Sequence, residues 1–97
     1  MTSENLKLLE KLSAESVTAL GGIVKAALVH PDLKLHSALE AGLTAAGYRI
    51  ERFTNVAGTR HKVSVFSPEN EWVAHADSIS PEEALTHSML GAMREGK

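Results

Sequence analysis

The sequence predicts an α+β domain: a helical N-terminal segment followed by an α-β-β-β-α unit, with a three-stranded antiparallel sheet packed by helices. Three observations carry that reading. Apolar residues recur at spacings of three and four over the first 30 residues and again from Leu35 to Ala46, the period of a helix face. From Tyr48 the period drops to two, the period of a strand. Finally, Ser80-Pro81-Glu82-Glu83 has the chemistry of a helix start. At 97 residues the chain is expected to be a single domain, 1–97, divided at Pro31 into a helical segment 1–30 and an αβββα unit 31–97.

Within the first segment, Leu6, Leu9 and Leu12 recur every three residues, and Val17, Leu20, Ile23, Val24, Ala27 and Leu28 continue the stripe. Ser13 is a candidate N-cap that splits the segment into helices over 3–12 and 14–29; one continuous helix is the alternative. Gly21-Gly22 costs about 1 kcal/mol per glycine relative to alanine in a helix, so it marks a kink or a close approach by another backbone. His30-Pro31-Asp32 ends the segment, because proline disfavours helical geometry in the residue before it.

Leu35, Leu39, Leu43 and Ala46 form the stripe of the next helix, 34–46, which Gly47 stops in a left-handed conformation. Gly42 within it leaves room for a close neighbour. Strands are expected over 48–53, 61–67 and 71–77, the last two joined by the turn Ser67-Pro68-Glu69-Asn70. The final helix takes Ser80 as N-cap, Pro81 at its first position and Glu83 reaching back to the cap, with Leu85, Met89, Ala92 and Met93 on its buried stripe.

The strands carry apolar residues on both faces, Val63 and Val65 on one and Phe66 on the other. The helices at 34–46 and 81–94 are expected together on one face. The N-terminal helices are then left to cover the second face, or to form a homodimer interface through Leu6, Leu9, Leu20 and Ile23, a stripe too apolar to leave in water.

Little chemistry is written in these residues. There is no cysteine, which excludes disulfides, thiolate metal sites and thiol catalysis. The five histidines, at 30, 36, 61, 75 and 87, share no ligand spacing on one helix; His61 and His75 meet, beside Asp77, only if the turn pairs them across the hairpin. No GxSxG elbow or phosphate loop is present. The expectation is no catalytic residue, no metal and no cofactor. No apolar run is long enough to span a bilayer, and residues 1–10 lack the layout of a signal peptide, so a cytoplasmic protein without a membrane partner is expected.

Charge is the most informative feature. Ten Lys+Arg against 12 Asp+Glu give −2 overall. Residues 49–62, however, hold Arg49, Arg52, Arg60 and Lys62 against Glu51 alone, whereas residues 63–97 hold two bases against six acids. The first hairpin is thus a basic edge, and Arg49, Arg52, Phe53, Arg60 and Lys62 are the expected partner-binding residues.

Two family resemblances bear on this reading. The αβββα order resembles the double-stranded RNA-binding domain, but that family places lysines where Pro81, Glu82 and Glu83 stand, and a histidine-containing loop where Pro68-Glu69-Asn70 stands. Over 60 of 97 residues, roughly Leu35 to Met93, the chain is similar to the small α/β sandwich proteins of bacteriophages and prophages, the phage ABA sandwich domains. Trp72, Ala74, Ala76, Pro81 and Ala84 carry that likeness. It implies a phage or prophage accessory protein working in the host cytoplasm. The expected function is therefore a non-catalytic binding module that modulates or inhibits a host macromolecule, such as a defence or regulatory factor. The alternatives are a nucleic-acid-binding domain using the same basic hairpin, and a structural homo-oligomer.

Overall fold

The structure, a computed structural model, describes residues 3–30 and 34–97. Its elements run α1 (Ser3–Glu15), α2 (Ala19–Leu28), α3 (Leu35–Ala45), β1 (Arg49–Thr54), β2 (His61–Phe66), β3 (Trp72–Ser78) and α4 (Pro81–Arg94). The expected α+β class and antiparallel order β1-β2-β3 are what is found. The break at Pro31-Asp32 lies outside the described residues.

The N-terminal segment is indeed two helices, but the second starts five residues later than the sequence suggests, and the first ends three residues later. Thr18, in extended geometry, is the N-cap of α2, and its Oγ1 accepts a hydrogen bond from the Gly21 N–H at 3.2 Å. Ser13 is instead buried inside α1, its hydroxyl donating to the Glu10 carbonyl at 3.0 Å. Of the two glycines, Gly21 serves this junction. A Cβ on Gly21 would stand 2.2 Å from Ser16 Oγ, whereas Gly22 faces open space. Gly42 is a close-approach position as expected: a Cβ there would lie 2.9 Å from Ile23 Cγ2, so α2 and α3 touch at the glycine. Gly47 ends α3 with φ 90°, which a residue with a Cβ adopts only under strain.

The helices lie on one side of the sheet in two tiers. α4 packs on β3 and β2, and α3 on β1; α1 and α2 then pack on α4 and α3, away from the strands. α4 is accordingly buried over most of its circumference, with Leu85 and Met89 inside along with Thr86 and Ser88. Those two hydroxyls are satisfied by the helix itself, donating to the Glu82 and Leu85 carbonyls at 3.0 and 2.7 Å. Leu9, Leu20, Leu39, Leu43, Leu85 and Met89 are completely enclosed or nearly so, each worth about 1.5–3 kcal/mol of burial.

This arrangement corrects the expected role of the N-terminal helices. They do not cover the second face of the sheet. Leu9 and Leu20 are enclosed in the core of a single chain and Ile23 is half-buried against it, while Leu6 is partly exposed, so the four do not form one exposed stripe.

Candidate functional site

With every described helix on one side, no described element covers the other face of the sheet. Alternation along the strands decides which residues it presents. Ile50, Val63, Val65, Ala74 and Ala76 face the helices, Val63 and Val65 fully buried. Glu51, Phe53, Lys62, Ser64, Phe66, His75 and Asp77 occupy the alternate positions and face outward.

A β-bulge adds an aromatic to this face. Val65 is opposite Ala74 but Phe66 is opposite Trp72, so Val73 is an extra residue in β3. Val73 and Ala74 are both buried, and Trp72 is set back onto the side of His75, their ring centroids 5.0 Å apart. Trp72 is 52 % exposed and Phe53 58 %. The Lys97 ammonium sits 5.6 Å from the Trp72 ring centroid and donates to the Val73 carbonyl at 3.0 Å.

The five residues expected to bind a partner do not form one patch. Arg49 lies across Phe66, its guanidinium 4.4 Å from the ring centroid, donating to Asn70 Oδ1 at 2.9 Å with Glu51 at 3.5 Å. Arg52 faces the helix side, paired with Glu40 of α3 at 2.9 Å. Arg60, at the end of the loop before β2, is paired with Asp77 of β3 at 3.0 Å. Lys62 stands opposite Phe53 and is the one cation of this hairpin without a carboxylate within ion-pair distance among the described residues. The basic edge is therefore largely neutralised within the chain.

His61 and His75 do not meet. His61 is opposite Ser78 and shares the side of Val63; His75 is opposite Ser64 and faces outward. The bulge puts the two histidines on opposite faces of the sheet. Among the described residues no group of three or more His, Asp or Glu side chains is placed to hold a metal. No described helix is long and apolar enough to cross a membrane.

One further concavity stands out, a groove of about 520 Å³ between α2 and α3 lined by Ala19, Gly22, Ile23, Ala26, Ala38 and Ala41 among others. Small side chains open it, and among the described lining residues His30 is the one polar side chain. The open sheet face, with aromatics and charges together, is the stronger candidate. Comparison of the chain with protein-family models, curated proteins and solved structures returns no match.

Proposed function

We propose that this chain is a non-catalytic binding module, a phage or prophage accessory protein as the sandwich resemblance implies, that modulates or inhibits a host protein in the host cytoplasm. It does so by covering part of that protein with the open face of its sheet. The observation behind this reading is the bare face itself, where Phe53 stands 58 % exposed opposite Lys62, and Trp72 stands 52 % exposed at the other end, opposite Phe66. Large aromatics next to cations are the side chains that contribute most at protein interfaces.

Charge pairing favours a protein over a nucleic acid as partner. Glu51, Glu40 and Asp77 already engage Arg49, Arg52 and Arg60, so a phosphate backbone would find a single uncompensated cation on the hairpin. The test is affinity capture from a bacterial lysate with the wild-type chain beside Phe53→Ala and Lys62→Glu variants. The expected result is a partner retained by the wild type and lost by both variants. Equal recovery by all three removes the sheet face as the contact. Retention of duplex RNA or DNA that falls steeply with salt favours the nucleic-acid alternative instead.

A further inference from the structure

β1 is an outer strand of the sheet, and its free edge has a symmetric charge pattern. The Asn55 N–H donates to the Arg60 carbonyl at 3.1 Å, which fixes the alternation of β1: Arg49, Glu51 and Phe53 turn their backbone groups toward β2. Ile50, Arg52 and Thr54 therefore turn their N–H and C=O groups outward. Tyr48 N–H is taken by the Leu43 carbonyl at 2.9 Å.

We infer that this edge pairs with the same edge of a second copy, antiparallel and centred on Ile50, to make a two-fold dimer with a continuous six-stranded sheet. The argument is charge complementarity. In the Ile50-centred register Arg49 stands opposite Glu51 of the second copy, and Glu51 opposite its Arg49. These are non-hydrogen-bonded positions, where side chains come closest, and opposite charges there are favourable. Arg52 comes against Tyr48 of the second copy, and Ile50, half-buried in one chain, is covered by its own equivalent. Moving the two-fold to Glu51 sets that carboxylate against itself, and moving it to Arg52 sets two guanidiniums together. The same charges that would block a slipped edge thus favour one register. The backbone supplies four bonds: Ile50 N–H to Ile50 carbonyl in both directions, and Arg52 N–H to the Tyr48 carbonyl twice.

The test is sedimentation of the full chain across the micromolar range. Wild type is expected to dimerise. Arg49→Glu or Glu51→Arg alone should raise the dimer dissociation constant at least about tenfold, because two attractive pairs become repulsive. The double exchange Arg49→Glu/Glu51→Arg should restore it. Since the chain has no native cysteine, Ile50→Cys introduces a single thiol that should yield a covalent dimer on mild oxidation, its equivalents lying within disulfide reach. Phe53→Cys, three residues from the two-fold on each strand, should dimerise like the wild type but form no covalent cross-link. A monomer at every concentration, a dimer indifferent to Arg49→Glu, or cross-linking through Phe53→Cys in place of Ile50→Cys overturns the inference.

Discussion

Arg52 of β1 donates to Glu40 of α3 across 2.9 Å, and this pair lies on the helix side of the sheet, opposite to Phe53 and Lys62. The side chains are 40 % and 46 % exposed, so solvent screens the pair and its contribution to stability is below about 1 kcal/mol. Arg52→Ala is expected to shift the urea midpoint only slightly and to leave partner capture unchanged. A loss of binding in that variant matching that of Lys62→Glu would move the contact surface to the other side of the sheet.

Gly42 gives a sharper packing test. Alanine at an ordinary helix site gains about 1 kcal/mol over glycine. Here its Cβ would stand 2.9 Å from Ile23 Cγ2, and overpacking of that kind costs about 1–3 kcal/mol. Gly42→Ala is therefore expected to destabilise the wild type and to stabilise an Ile23→Ala background. Denaturation of the four proteins of this cycle reads the change of sign; the same sign in both backgrounds contradicts the close approach.

These two sites show where the sequence was legible. Periodicity located every helix and strand to within a few residues, and Gly42, Gly47 and Ser80 each do what their residue type suggests. The bulge was not legible, because nothing in the run Trp72-Val73-Ala74 distinguishes an extra residue from regular alternation, and it is the bulge that separates His61 from His75 and sets Trp72 beside His75. Nor was the neutralisation of the basic hairpin. Its carboxylates come from α3 and β3, 12 to 17 positions away for Glu40 and Asp77, a tertiary fact that a local charge count cannot contain. The direction of the N-terminal helices was hidden for the same reason: Thr86 and Ser88 look polar in sequence, yet both are buried with their hydroxyls bonded back to the helix, and α4 packs on α1 as well as on the sheet.

The start of α4 should respond to loss of its cap. Ser80 Oγ accepts from the Glu83 N–H at 3.1 Å, and Pro81 follows at the first helical position. Ser80→Ala is expected to cost about 1 kcal/mol of global stability, since α4 lies between the sheet and α1 and cannot fray without exposing core. A midpoint unchanged in both urea and heat would show that the cap contributes nothing.

Glu82 on the same turn carries a pH signature. Its carboxyl is held below the ordinary glutamate range, first by a backbone hydrogen bond and then, against the opposing effect of desolvation, by His36, the Ser80 hydroxyl and Lys34. The folded state therefore binds this proton less readily than the unfolded chain does. Its stabilising contribution is full above the unfolded value and disappears as pH falls through the lowered one. An NMR titration should place the Glu82 midpoint below those of unperturbed glutamates, and Glu82→Gln should flatten the acid limb of the stability profile; an ordinary midpoint contradicts the geometry.

Trp72, the only tryptophan, reports directly on the proposed contact surface. Its ring is 52 % exposed, packed against His75 on one side with the Lys97 ammonium near its face. In the free chain its emission should be that of a solvated indole and should be quenched readily by acrylamide. A partner seated on the open sheet face removes water from the centre of the interface, so the quenching constant should fall several-fold on binding and the emission should shift to the blue. Phe53 lies on the opposite outer strand of the same sheet, so Phe53→Ala should abolish that protection without touching the indole itself. Protection of Trp72 that survives Phe53→Ala would confine the contact to the β3 edge, and binding with no change at Trp72 would exclude this face altogether.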